Sequence, residues 1–223
     1  MRFTSRDVRL VRDVALSHLM SRDQFLLLDY FGSVTRTNTR LRELCAAGML
    51  KRLTTPFLGQ SLYMAGEEAP ELLGDRIAPL LVERAGSPRF VRHALSVNNV
   101  RIALLKKGGT DWRFEQQLWR TLGKVALRPD GLLYTKQIPA FIEVDLGHVS
   151  APKFKEKLLG YRDLASAENC GQLYGFPDFR LLVVTTGTRR ARHLRSLLPH
   201  HARFDYLVQT FEELGVPMVG CWS

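Results

Sequence analysis

The sequence predicts a mixed α/β (α+β) chain built in two parts, and three observations predict it. Short stretches of helical periodicity fill the first fifty residues and are followed by a hairpin pattern. From about residue 89 a long helix gives way to three strands, a helix and a strand of consecutive apolar residues. Positive charge is also unevenly spread: residues 1–65 carry ten Lys/Arg against five Asp/Glu, and the remaining residues spread an equal excess over more than twice the length.

In the first part, Val8, Val11, Val14, Ala15 and Leu19 fall on one face of a helix over residues 5–19. Ser21-Arg22-Asp23-Gln24 has the S-x-x-Q form of a capping box, so a second helix starts at once with Phe25, Leu26 and Leu28 inward. Gly32 interrupts it. A third helix from Ser33 carries Thr35, Arg36, Thr37, Asn38, Thr39 and Arg40 ahead of its apolar residues Leu41, Leu44 and Cys45. A polar, basic front half and an apolar rear half suit a helix that lays its first turns in a DNA major groove. Gly48 ends this helix, and residues 49–53 and 60–64 read as two short strands around a Pro56/Gly59 turn. Three helices and a hairpin make a winged helix-turn-helix over residues 1–66. Its expected DNA-facing residues are Thr35, Arg36, Asn38, Thr39 and Arg40 on the helix and Lys51 and Arg52 on the hairpin. The alternative is a helical bundle with a solvated basic face.

Residues 67–88 read as a connector with a short helix over 76–83. The second part, 89–223, starts with a helix over 90–107 ended by Gly108-Gly109. Strands are expected at 112–118, 130–134 and 140–146, a helix at 154–165, a buried strand at 180–185, a basic helix at 188–198, and strands near 206–208 and Met218. Helix, three strands, helix, strand is the order of a restriction-endonuclease-like core. In 141–147, Ile142, Val144 and Leu146 alternate with Glu143 and Asp145, so one face is apolar and two acids share the other. Carboxylates one pleat apart repel unless a cation joins them, and Asp130 at the head of the neighbouring strand could add a third ligand to Mg²⁺ or Mn²⁺. The same acids also fit a solvated face paired with the lysines that follow.

Residues 93–101 (His-Ala-Leu-Ser-Val-Asn-Asn-Val-Arg), Arg128-Pro129-Asp130-Gly131, Glu143-Val144-Asp145-Leu146-Gly147 and 153–161, behind a winged helix, resemble the replication-relaxation proteins of plasmids and integrated mobile elements. The resemblance implies a DNA-binding protein of mobile-element maintenance with a C-terminal half similar to PD-(D/E)xK nucleases. In that pattern Asp130 matches the first acid and Glu143 the second, but the lysine position holds Asp145. A lysine there orients the attacking water and neutralises developing charge. Its loss favours a regulator whose nuclease-like half pairs two copies or senses, and which needs no cofactor to bind double-stranded DNA. Lys157, from the following helix, could restore the role. The alternative is a Mg²⁺-dependent endonuclease with Asp130, Glu143, Asp145 and Lys157 catalytic, the three acids holding the metal and Glu115 an added ligand.

Weaker candidates are His93, the pair His200-His201, and the run from Phe179 to Arg203, which holds six Arg and no acid. Arg189, Arg190, Arg192 and Arg195 in that run read as a second phosphate-contacting surface or a solvated helix face. Trp112, Trp119 and Tyr161 are expected in the core. Cys45, Cys170 and Cys221 lack metal-ligand spacing and are expected as reduced thiols. No apolar run approaches the ~20 residues that span a bilayer, so a cytoplasmic protein without a membrane partner is expected. A homodimer is also expected, since one reading helix covers only a short half-site.

Overall fold

Each of the first three helices begins on a hydroxyl. Thr4 caps α1 (Ser5–Leu16): its Oγ1 accepts the Asp7 amide at 3.3 Å while Asp7 Oδ2 accepts the Thr4 amide at 2.7 Å. After the two-residue strand β1 (Met20–Ser21), Ser21 and Gln24 form the capping box their spacing predicts at the head of α2 (Arg22–Leu27). Ser33 caps α3 (Val34–Ala46) by accepting the Arg36 amide at 3.3 Å. Gly48, at φ +71°, takes the left-handed turn that closes α3 and opens the hairpin β2 (Leu50–Leu53) and β3 (Leu62–Ala65). β3 lies between β1 and β2 in a three-stranded antiparallel sheet, order β1-β3-β2. Leu10, Val11 and Val14 of α1, Phe25 of α2 and Leu41 and Leu44 of α3 close over Met49, Leu50 and Tyr63 in one core. A short α4 (Ala69–Leu73) follows.

The computed structural model describes residues 2–56, 58–74, 87–122, 125–165, 167–198, 204–217 and 219. The chain divides into two units, one running to Ile102 and the other starting at Ala103. The boundary falls inside α5 (Pro88–Lys106). Residues 89–102, which the sequence reading places in the second part, therefore pack in the first. The reason is a set of buried polar contacts. Asn98 Nδ2 donates to the Leu19 carbonyl at 2.9 Å, and Gln24 Nε2 donates to the Leu95 carbonyl at 2.9 Å and to Asn99 Oδ1 at 2.8 Å. Arg101 pairs with Asp13 of α1. The Ser-Val-Asn-Asn-Val-Arg stretch is thus the strap that holds α5 to α1, β1 and α2.

The second unit is a five-stranded mixed sheet of order β10-β9-β8-β7-β4. Its strands are β4 (Asp111–Phe114), β7 (Gly131–Tyr134), β8 (Ala140–Asp145), β9 (Arg180–Thr185) and β10 (Asp205–Thr210). β4, β7 and β8 run antiparallel, whereas β8, β9 and β10 are parallel. The parallel crossovers are α7 (Ala151–Leu164) with α8 (Ala167–Tyr174), and α9 (Thr188–Leu197). Both cover the face that carries Leu132, Phe141, Leu181 and Val183, through Phe154, Leu158, Tyr161, Ala191 and Leu194. All six residues of β8 are buried. A hairpin of β5 (Arg120–Leu122) and β6 (Val125–Leu127) and the terminal turn α10 (Phe211–Leu214) complete the unit.

Several expectations need correction. The strand expected over 112–118 stops at Phe114, because the Phe114 amide donates to Gln117 Oε1 at 3.0 Å and the next residues turn into α6 (Glu115–Leu118). The hairpin β5/β6 and helix α8 were not expected. The short helix at 76–83 and the strand near Met218 fall outside the described residues. Trp119 is more than half exposed, whereas Trp112 and Tyr161 are buried.

Gly131 is required by packing, since a Cβ there would lie 1.9 Å from the Trp112 ring. Gly131→Ala is expected to cost about 1–3 kcal/mol through overpacking against that buried indole, measured by urea denaturation. An unchanged midpoint would show that the ring has room to move.

Candidate nucleic-acid interface and buried acidic site

Helical spacing decides which side chains of α3 reach outward. Thr37, Leu41 and Leu44 are buried, while Thr35, Arg36, Thr39 and Arg42 are exposed and Asn38 half-buried. Thr35, Asn38, Thr39 and Arg42 lie three and four residues apart and so form one stripe. They line an open groove of about 520 Å³ together with Arg22 at the head of α2, Arg52 of β2, and Gly59, Gln60, Ser61 and Tyr63 of the hairpin. Arg52 Nε donates to Ser61 Oγ at 2.9 Å, which fixes its guanidinium across the two strands. None of the described residues lining the groove is acidic.

Of the residues expected to face DNA, the groove gathers Thr35, Asn38, Thr39 and Arg52. Arg36 and Lys51 are exposed but are not among its lining residues. Arg40 is committed elsewhere. It donates to both oxygens of the fully buried Asp7, at 2.9 and 2.6 Å, to Glu43 at 2.5 Å and to the Arg2 carbonyl at 3.2 Å. It is a tie between α3 and α1. Sequence reading chose Arg40 by its place in the front half of the helix, and missed Arg42, Arg22 and Gln60. Reading the 35-38-39-42 stripe at helical period would have found Arg42.

The acids of the second unit lie on β8 and at the head of β7. Asp130 Oδ2 accepts the Val144 amide at 2.7 Å and thereby holds the start of β7 against β8. Glu143 and Asp145 share a face, as alternation predicts, but that face is covered by α7 and α9. Glu143, 5% exposed, accepts the Tyr161 hydroxyl at 2.6 Å and is paired with Lys157. Burial, aided by the charge of Asp130, outweighs Lys157 and Tyr161 and pushes the Glu143 carboxyl up to about 7. Burial opposes the charge of Lys157, yet the carboxylates of Glu143, Asp130 and Glu115 keep its pKa raised. Asp145 is bound two-pronged by Arg190, at 2.7 and 3.1 Å, and accepts the Thr185 hydroxyl at 2.8 Å. Against the cost of burial, those contacts hold its pKa below the usual carboxylate range.

The carboxylates expected to share a metal ion are met separately, Glu143 by Lys157 and Asp145 by Arg190. Residues two apart on a strand are about 6.6 Å apart along it, and a different cation is built against each of Glu143 and Asp145. Among the described residues no three His, Cys, Asp or Glu side chains are placed to hold a metal ion. Lys157 does stand where the sequence reading asked for a substitute lysine, against Glu143. Glu115 accepts from Arg128 at 2.6 Å, and the Arg128 guanidinium stacks over the exposed Trp119 ring at 5.3 Å. His93 is half-buried in α5, and His200 and His201 lie outside the described residues. Cys45 and Cys170 are free thiols whose pKa values burial raises, and Cys221 lies outside the described residues.

These features define a mixed α/β protein with a basic polar groove on one unit and a buried carboxylate–lysine pair in the other. The chain belongs to the replication-relaxation family, whose model matches residues 14–178. Membership connects it with the replication of plasmids and mobile elements. Among curated proteins nothing matches. A solved structure similar to the chain is that of protein VC1899 from Vibrio cholerae, at 12% identity and a TM-score of 0.32. The match covers 93% of this chain and 47% of that one, so the chain spans about half the length of that protein. Among the described residues no helix is long and apolar enough to cross a membrane.

Two pH-dependent outcomes follow from the buried carboxylates. Asp7 is penalised by burial, but its bonds from Arg40 and Thr4 hold its pKa at about 2, below the ordinary 3.8. Its contribution to stability is complete above 3.8 and is lost as the pH falls toward 2. Arg40→Ala, which leaves a buried charge unpaired, is expected to cost about 3–5 kcal/mol near neutrality, read by urea denaturation. A loss under half a unit of free energy would demote the pair to a surface contact. For Glu143 the sign is opposite. Its pKa is higher folded than unfolded, so stability falls as the pH rises from 4.5 to about 7. Glu143→Gln is expected to flatten that limb, and an unchanged slope would mean that Glu143 is ionised throughout.

Proposed function

We propose that this protein binds double-stranded DNA and controls the replication or transcription of a plasmid or integrated element. One observation carries the reading: an open groove between α3 and the β2/β3 hairpin, lined by Arg22, Arg42 and Arg52 with Asn38, Thr35, Thr39 and Gln60, and without a described acid. The order helix, strand, helix, helix, strand, strand, with the sheet order β1-β3-β2, supports a winged helix-turn-helix in which α3 reads bases. Asn and Gln pair with adenine edges and Arg with guanine edges in the major groove, so Asn38, Gln60 and Arg42 are suited to base contact. Arg36, Lys51 and Arg52 are suited to flanking phosphates. The second unit serves in this reading as a restriction-endonuclease-like scaffold that pairs two copies or senses.

The second reading, a Mg²⁺-dependent endonuclease, is favoured by one observation: Lys157 reaches Glu143 from α7, with Asp130 and Glu115 within its field. Against it, Glu143 is occupied by Tyr161 and Lys157, and Asp145 by Arg190. Incubation of supercoiled plasmid with Mg²⁺ or Mn²⁺ separates the two. Gel shift without nicking supports the regulator; nicking that disappears in Asp130→Ala replaces it with the nuclease.

Duplexes selected from a random pool by the full chain provide the target for the affinity test. Asn38→Ala and Arg42→Ala are each expected to cost about 1–3 kcal/mol on that target and to relax preference at a mapped position. Arg52→Ala is expected to weaken binding evenly across sequences. If Asn38→Ala and Arg42→Ala bind the selected duplex as tightly as the parent at fixed salt, the groove is not the reading surface. Light scattering at micromolar concentration is expected to give the mass of a dimer.

A further inference from the structure

We infer that the second unit has a DNA-phosphate surface of its own, formed where α7 and α9 begin, with Lys153, Lys155, Arg189 and Arg192 as its cations. The inference rests on the DNA-binding reading above but concerns a different unit and a different kind of contact.

The arginine-rich run 179–203 is divided by the structure into two groups. Arg180 pairs with Asp205, Arg190 is held by Asp145 and the Val149 carbonyl, and Arg195 donates to the Val208 carbonyl at 2.6 Å. These three are engaged within the unit. Arg189 and Arg192 are exposed and make no hydrogen bond or ion pair among the described residues. On α7, Lys153 and Lys155 are likewise exposed and without such a partner, whereas Lys157 turns inward to Glu143.

Two structural features bring the starts of α7 and α9 to one end of the sheet. α7 follows β8 and α9 follows β9, the two strands are parallel neighbours, and both helices cover the same face. Their starts therefore lie at the same end of the sheet. Arg190 then joins them directly, since its guanidinium donates to Val149, just before α7, at 2.5 Å from within the first turn of α9.

Cations outnumber acids there. Neither helix has an acid in its first turn, and each has basic residues instead, the reverse of what a helix dipole favours. Residues 146–155 and 186–198 contain no Asp or Glu, and the nearby Asp145 is buried and neutralised by Arg190. Glu156 on the outer side of α7 is the nearest exposed acid in sequence. A spread of solvated cations with open backbone at Gly187 suits a row of phosphates, which asks for charge and reach but no shaped pocket.

The test uses the full chain and two sets of substitutions. One carries Lys153→Gln, Lys155→Gln, Arg189→Gln and Arg192→Gln; the other carries Asn38→Ala and Arg42→Ala. Affinity for a short random-sequence duplex and for the selected duplex is measured as a function of salt, with circular dichroism to check folding. The four-residue variant is expected to keep the parent's ratio of selected to random affinity. The slope of log affinity against log salt should become shallower by about two to three, since each phosphate contact contributes near 0.9. The groove variant is expected to lose the ratio and to keep most of the slope. An unchanged slope in the four-residue variant overturns the second surface and leaves the groove reading intact. No binding of either duplex by the parent overturns both. A charge-conserving variant, with Arg189→Lys and Arg192→Lys and with Lys153 and Lys155 unchanged, is expected to keep the parent slope, and a slope as shallow as that of the four-residue variant would overturn the phosphate reading.

Discussion

β8 is buried along its whole length, and this constrains the second unit more than any other feature. A carboxylate that leaves water must be met by donors or a cation in place, or it takes up a proton. Glu143 and Asp145 are both on this strand, both nearly inaccessible, and each is met from a different helix. α7 supplies Lys157 and Tyr161 to the first, and α9 supplies Arg190 to the second. The two crossovers are thus tied to the sheet by charge as well as by the aromatic cluster of Phe141, Tyr161, Phe179 and Phe204. The outcome differs because burial outweighs the contacts of Glu143, whose Lys157 also faces Asp130 and Glu115, whereas the two-pronged Arg190 and the Thr185 hydroxyl outweigh burial at Asp145.

The first unit repeats the principle at a smaller scale. Asp7 caps its own helix through Thr4 and uses the same oxygens to receive Arg40 from α3, so one carboxylate joins a helix start to a neighbouring helix. Gln24 caps α2 and then reaches α5 through Leu95 and Asn99. Polar residues that are read in isolation as caps or as surface thus serve as joints. Several residues left outward on α3 and the hairpin, among them Thr35, Thr39, Arg42 and Arg52, line the groove. The chain belongs to the replication-relaxation family.

Much of the fold was legible because it follows from local rules. The capping box at Ser21, the long helix ending at Gly108-Gly109, the strand over 140–145 and the buried strand at 180–185 all stand where periodicity and turn chemistry put them. α6 was missed because one side-chain contact, Gln117 to the Phe114 amide, ends a strand that the residue types would have continued. The stripe on α3 was half legible: Thr35, Asn38 and Thr39 were named, but the choice between Arg40 and Arg42 depended on an acid thirty-three positions away in the chain.

By itself the sequence determined the element types, the alternation that sets Glu143 and Asp145 on one face, the concentration of positive charge, and the resemblance that family membership bears out. These are properties of neighbours along the chain, where spacing alone decides what shares a face. Tertiary structure decided which partner each charge meets. It gave Arg40 to Asp7, Arg190 to Asp145 and Lys157 to Glu143, and it left Arg42, Arg52, Arg189 and Arg192 outward. The physical reason is that an ion pair between distant segments depends on how helices cross and how deeply each group is buried, and no local pattern encodes either.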